Sequence, residues 1–265
     1  MNPRGERSAP GGIESRPRLA QAVLLLVSVL LAWFLAGSAV GHVADNNISD
    51  ALVRWTGSAS PARAASTLIA IDEETLSGHG GMRGLRSILA GILEAVAPHD
   101  PAVVAIDLTL ADPGDPVEDD RLARAMAALP AVVLAAEIRS TGNAWELPAP
   151  VFANAVAAIG HVHAAPDPMD SVCRAIPLEK AVDRRRFWAL SLEAYRLWRK
   201  EPYILETPES LLVGGVEIPA SRASGRLLQI RYLPPDGQAA SGVDRISAAT
   251  LLSKAASYPV PEKAV

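Results

Sequence analysis

TLIAIDEETLSGHGGMRGLRSILAGILEAVAPHDPAVVAID, residues 67–107, carries the pattern from which the fold is read. TLIAID (67–72) is a short β-rich run, and Gly78, Gly80, Gly81 and Gly84 then mark a loop. Leu85, Ile88, Leu89, Ile92 and Val96 recur at helical spacing and draw one apolar stripe along a helix. Pro98-His99-Asp100-Pro101 stops that helix, and AVVAID (102–107) is a second apolar run. Apolar runs that do not alternate, separated by an amphipathic helix, predict parallel strands covered on both faces, joined by right-handed crossovers.

The rhythm continues downstream. An acidic loop with Pro113, Gly114 and Pro116 leads into a helix with Leu122, Ala123 and Met126 on one face, and Pro130 ends it. AVVLAAEI (131–138) is a third apolar run. Past residue 140 the pattern loosens. AAIGHVHA (157–164) reads as a strand, and Phe187 to Lys200 as a helix with Phe187, Leu190, Ala194 and Leu197 inward. LLVGGVEIP (211–219) reads as a hairpin turning at Gly214-Gly215, and RLLQIRYL (226–233) as a strand. Residues 64–254 are therefore expected to form one α/β domain of unequal halves, its sheet mostly parallel and flanked by helices.

Upstream lies a different kind of sequence. From Leu19 to Ala44 there is no Asp, Glu, Lys or Arg. As a helix this stretch would reach roughly 39 Å, more than the ~30 Å hydrocarbon core of a bilayer. It predicts one N-terminal transmembrane helix over 19–43. Arg4, Arg7, Arg16 and Arg18 precede it, and Asp45 and Asp50 follow. The positive-inside rule then makes 1–18 a cytoplasmic tail and places 44–265 outside. A cleaved signal peptide, with Ala36-Gly37-Ser38-Ala39 as its cleavage region, would export the same residues. Residues 45–60 read as a helical stalk ending near Gly57-Ser58. The expected location is the inner membrane, single-pass, with the C-terminal domain periplasmic or extracellular and the lipid bilayer as one partner.

Composition narrows the function. Hydrophobic residues make up 49% and charged residues 20%, which supports a packed core. The net charge of -4 gives no basic field, so no nucleic-acid partner is expected. Cys173 is the single cysteine, which rules out an intramolecular disulfide and a zinc set built on paired cysteines.

Three apolar runs end in acids: Asp72, Asp107 and Glu137. In parallel sheets ligands bind beyond the carboxyl ends of the strands. If the strands are neighbours, these carboxylates converge and would hold a cation, a cationic ligand or a basic side chain such as Arg86 or Arg174. Oxygen ligands alone would suit calcium or magnesium. The structural alternative is that each Asp caps a helix or fixes a turn. Asp72, Glu73, Asp107, Glu137, Arg86 and Arg174 are the candidate ligand-binding residues, with no catalytic residue, metal or cofactor expected. Gly78-His79-Gly80-Gly81 lacks the phosphate-loop and dinucleotide spacings and is read as loop geometry. His161 and His163 alternate on one strand; they are read as solvated, with a pH-sensitive pair as the alternative. There is no G-x-S-x-G elbow. Arg184-Arg185-Arg186 reads as a solvated turn, and Trp188, Tyr195 and Trp198 as packing residues.

Taken in order, these segments resemble the type-two CHASE domain, the extracellular sensor of bacterial adenylate cyclases, histidine kinases and serine/threonine kinases. The resemblance rests on Ile71-Asp72-Glu73 with Leu76 and Gly80, Arg86 at a helix start, and Ala105-Ile106-Asp107. It continues through Ala111-Asp112-Pro113 with Asp119-Asp120, Gly160-His161-Val162, Asp167, Asp170 and Arg174 before Pro177-Leu178, and Leu190-Ser191-Leu192. Arg231-Tyr232 with Pro234 and Ile246-Ser247-Ala248-Ala249 with Leu251 complete it. It implies a sensory domain without catalysis of its own, answering an unknown small-molecule or protein stimulus. Two features depart from the family. Met82-Arg83-Gly84-Leu85-Arg86 stands where relatives often carry Trp-Pro-Trp-Pro-Arg, and the family's closing strand and effector are not found after Ser253. The chain is accordingly expected to be C-terminally truncated. It would act as a sensor, as a homodimer, or as the non-signalling partner of a full-length receptor. A metal-dependent extracytoplasmic enzyme is the alternative from a different class.

Overall fold

The computed structural model describes residues 15–56, 66–164, 166–230 and 244–253. The chain divides into two compact units, Met1–Ser58 and Ala59–Val265.

The first unit holds α1 (Ser15–Ala36) and α2 (Ala39–Thr56). The expectation of one continuous helix over 19–43 is corrected here. The apolar run breaks at Gly37-Ser38, where Ser38 ends one helix and starts the next. Its N–H donates to the Leu35 carbonyl at 3.0 Å and its Oγ to the same oxygen at 2.7 Å. That Oγ also accepts from the Gly41 N–H at 3.1 Å, as an N-cap does. The segments Leu19–Leu35 and Ala39–Trp55 diverge by 79°. Among the described residues no single helix is long and apolar enough to cross a membrane, although this bent pair meets the test together.

The second unit opens with β1 (Thr67–Ala70), α3 (Glu73–Gly78), α4 (Leu85–Val96) and β2 (Val104–Ile106). There follow α5 (Pro116–Ala127), β3 (Val132–Ile138), β4 (Trp145–Glu146), α6 (Pro150–Ala153) and β5 (Ala158–His161). The looser half supplies β6 (Ala175–Pro177), β7 (Glu179–Val182), β8 (Arg185–Trp188) and α7 (Leu190–Trp198). It continues with β9 (Leu205–Glu206), β10 (Ser210–Val213), β11 (Val216–Pro219) and β12 (Leu227–Gln229). The last described elements are β13 (Asp244–Ser247) and α8 (Ala248–Ser253).

The architecture is α/β, but the expectation of one mostly parallel sheet is corrected to several small, mixed sheets. Strands β2, β3 and β5 are parallel, with β4 antiparallel on the end of β3. Strand β1 pairs in parallel with β13. The remaining pairings, β6 with β12, β7 with β8 and β9-β10-β11, are antiparallel. The reason is local. In β7–β8 and β9-β10-β11 tight turns rather than crossover helices join the strands, and a tight turn makes neighbours antiparallel. Gly214 and Gly215, at φ 58° and 78°, supply the two positive angles of the β10–β11 turn.

Helix α4 packs its apolar stripe two ways. Leu89, Ala90 and Leu93 meet Leu122 and Met126 of α5 and Ile106 and Leu134 of the sheet. Ile88, Ile92 and Val96 meet Ile246 and Leu251. On the opposite face of β2 and β3, α7 packs Ala194 against Val103 and Val133. Each fully buried Leu or Ile here is worth ~1.5–3 kcal/mol, so α4 is the seam that joins the layers. Helix α7 begins at Leu190, not Phe187. Phe187 lies on β8 and meets Trp145 edge-on, with ring centroids 4.9 Å apart. RLLQIRYL is a strand only over β12, and Arg231 to Leu233 lie outside the described residues, as do Gly57 and Ser58.

Candidate functional site

Strands β1 and β2 do not pair with each other. Between them lies a cleft of about 890 Å³. Its two walls are Thr67, Leu68 and Ile69 of β1 and Val104, Ala105 and Ile106 of β2. Leu89, Ile92, Leu93 and Val96 of α4 close one face, and Ala194, Tyr195 and Trp198 of α7 line the other. The lining is apolar apart from hydroxyls and the Asp107 carboxylate. Its size lies within the range of small-molecule sites.

The six candidate ligand residues occupy this frame unequally. Asp72 follows β1 and is taken up as the N-cap of α3. Its Oδ1 accepts from the Thr75 N–H at 3.0 Å and from the Thr75 hydroxyl at 2.7 Å. Those bonds hold its pKa down at about 2. The Thr75 hydroxyl accepts in turn from the Ala249 N–H at 3.0 Å, so the cap ties α3 to α8. Glu73 stands exposed in the first turn of α3. Arg86, on the first turn of α4, donates to the carboxylate of Asp119 and the carbonyl of Asp112. The second Asp119 oxygen accepts from the Gly114 N–H at 2.8 Å, so the two side chains pin the acidic loop. Arg174 pairs with Asp170 at 2.7 Å, which lowers the Asp170 pKa. Asp107 is exposed at the end of β2, on the cleft. Glu137 is exposed on β3, opposite Glu146 across the β3–β4 pair.

Convergence of the three acids required adjacent strands, and that geometry is not formed. The cleft separates Asp72 from Asp107. Ile106 is level with Leu134, so Glu137 stands two residues further along than Asp107, roughly 6.6 Å at the rise of a strand. Among the described residues no group of three or more His, Cys, Asp or Glu is placed to hold a metal ion.

Two features escaped the sequence. His161, expected to be solvated, is 2% exposed. It ends β5 beside Ala189, with Trp145 at 6.3 Å between ring centroids. Its Nδ1 accepts from the His163 N–H at 3.2 Å, while Nε2 is buried with no partner among the described residues. Burial first, then His163 and Lys180, push its pKa down to about 4. His163 is only partly buried, and burial first, then Lys180, lower its pKa against the opposing pull of Glu137. The second feature is Arg226, 2% exposed, which donates to the carbonyls of Ser210 at 3.1 Å and Ala220 at 2.9 Å. It faces Glu206 at 3.3 Å and Glu179 at 3.5 Å. The arginine run is exposed, with Arg184 in the β7–β8 turn as read and Arg185 and Arg186 opening β8, where Arg186 pairs with Glu206 at 2.7 Å and lies over Trp188 at 4.5 Å. A lone Arg gives no sequence signal of burial; partners spread from Ala220 back to Glu179 decide it.

The family model described as the CHASE2 domain matches residues 23–265. No curated protein and no solved structure gives a significant match.

Proposed function

The chain belongs to the CHASE2 domain family, and from that premise we propose that it is the extracytoplasmic sensory part of a membrane-anchored bacterial signalling protein. It takes up a stimulus and carries out no reaction of its own. The observation that carries the reading is the extent of the match, which starts inside the apolar segment and runs through the whole α/β unit. CHASE2 domains are extracellular sensory domains. The charge-free run Leu19–Ala44, with arginines before it and aspartates after it, supports an anchor that leaves the second unit outside the cytoplasm.

The stimulus is placed at the carboxyl ends of β2 and β3, where Asp107 and Glu137 are exposed and free of the capping duties that occupy Asp72 and Arg86. Two carboxylates there favour a ligand with a cationic group. A fusion series tests the topology. Alkaline phosphatase joined after residue 60 should be active and a fluorescent protein dark at the same point, because only one folds outside. The reverse result would remove the sensory reading. Calorimetry of Asp107→Asn plus Glu137→Gln against wild type, titrated with spermidine as a cationic probe, tests the placement, and equal heats would refute it.

A further inference from the structure

We propose that helix α2 lies in the plane of the bilayer surface, with Val40, Ala44, Ile48 and Trp55 set into the boundary between lipid headgroups and acyl chains. This rests on the anchor reading above, with α1 as the inserted segment. Val40, Ala44, Ile48, Ala51 and Trp55 recur at helical spacing and draw one apolar stripe along α2. All five are exposed, Trp55 at 86% and Val40 at 71%. His42, Asn46, Ser49 and Asp50 hold the opposite face. An amphipathic helix with tryptophan on its apolar side and charge on the other is the form that a bilayer surface holds.

The bend supplies the direction. The segments Leu19–Leu35 and Ala39–Trp55 diverge by 79°. A membrane helix tilts on average about 20° from the bilayer normal. With α1 tilted by that much, α2 stays within about 30° of the bilayer plane. The turn is built into the sequence. The Ser38 Oγ donates to the Leu35 carbonyl at 2.7 Å and accepts from the Gly41 N–H at 3.1 Å, closing one helix and capping the next. Trp33 and Phe34 stand exposed just before it, where the end of a span meets the interface.

The charge pattern names the partner. The charge-free run does not stop with α1 at Ala36 but continues through the bend to Ala44, inside α2. Were α2 to continue the span, Asp45, Asn46, Asn47 and Asp50 would enter hydrocarbon, where charged side chains are strongly disfavoured. Were α2 to stand clear of the membrane, Ile48 and Trp55 would face water. A two-chain stalk would carry on along the axis of α1, and the bend turns α2 out of that axis. The bilayer surface takes the stripe, keeps the acids in water and accommodates the bend.

The experiment uses the full chain with Cys173→Ser in phosphatidylcholine vesicles. A nitrobenzoxadiazole label is attached in turn at Val27→Cys in α1, at Ala44→Cys and Ile48→Cys on the stripe, and at His42→Cys and Ser49→Cys on the polar face. The quenchers are aqueous iodide and phosphatidylcholine carrying a nitroxide either shallow or deep in its acyl chain. The Val27 position is expected to be quenched by the deep nitroxide. The two stripe positions are expected to be quenched by the shallow nitroxide about threefold more than the two polar-face positions, which iodide reaches. A Val27 label that no lipid nitroxide quenches would remove the anchor reading and this proposal with it. With Val27 quenched, three results overturn the proposal alone. Iodide may reach stripe and polar face equally, or the deep nitroxide may quench all four α2 positions. The third is a stripe closed to iodide and to lipid nitroxides alike, which a second copy or another protein surface would give.

Discussion

His161→Gln should flatten the loss of stability between pH 6.5 and pH 5. In the folded chain burial holds the imidazole at a pKa of about 4, against 6.5 when unfolded. Between those values the unfolded state binds more protons, so stability rises with pH. The contribution of His161 is complete well above pH 6.5 and drains away as pH falls through 6.5 towards 4. Over the interval from 6.5 to 5 the loss is about 1.6 kcal/mol, less than the full ~1.36 kcal/mol per unit because the unfolded imidazole is only half protonated at pH 6.5. His163 is lowered as well and adds a smaller loss of the same sign. The carboxylates act later, because Asp72 titrates from 3.8 down to about 2. Urea melts of the full chain in detergent at pH 7.5, 6.5, 5.5 and 5.0 measure this. The variant's absolute stability is expected to drop through lost packing, but only the slope with pH is compared. If wild type and His161→Gln lose stability in parallel over this interval, His161 is hydrated in solution and its buried position is wrong.

Three further outcomes follow from contacts elsewhere. Thr75→Val keeps the shape but removes the hydroxyl that serves Asp72 and the Ala249 N–H, and it should cost ~1–3 kcal/mol in denaturant melts, with Thr75→Ser near wild type. Gly160→Ala should destabilise by ~1–3 kcal/mol or more, because the added Cβ would sit 2.5 Å from the Leu190 Cα, whereas Gly78→Ala meets nothing within 4 Å and should be near neutral. Arg226→Met removes the buried guanidinium that serves the Ser210 and Ala220 carbonyls, while Arg186 still pairs with Glu206, and it should cost ~1–3 kcal/mol, read as a lower melting temperature by circular dichroism.

Some of this structure was legible because a single element announces itself. The α4 stripe needs only its own period, and Ile88, Leu89, Ile92 and Val96 are buried as the spacing predicts. Gly214-Gly215 needs only the turn they make. What misled depended on neighbours. Phe187 is three residues before Leu190 and fits a helical face, yet Trp145, more than 40 residues away, holds it on a strand. His161 ends β5 and His163 lies just beyond it, and Trp145 and Ala189 cover the first of the two.

The acids show the same limit. TLIAID and AVVAID each report, correctly, a strand followed by an aspartate. Neither reports which strand lies alongside. Asp72 and Asp107 were expected to meet because consecutive βαβ strands are commonly adjacent, and here the structure leaves room between them. An apolar run without alternation states that both faces and both edges will be covered; it does not state by what. The faces of β1 and β2 are largely answered by α4 and α7, and one edge of each by β13 and β3. Among the described residues the remaining edges of β1 and β2 carry no ladder, although their sequence is that of interior strands.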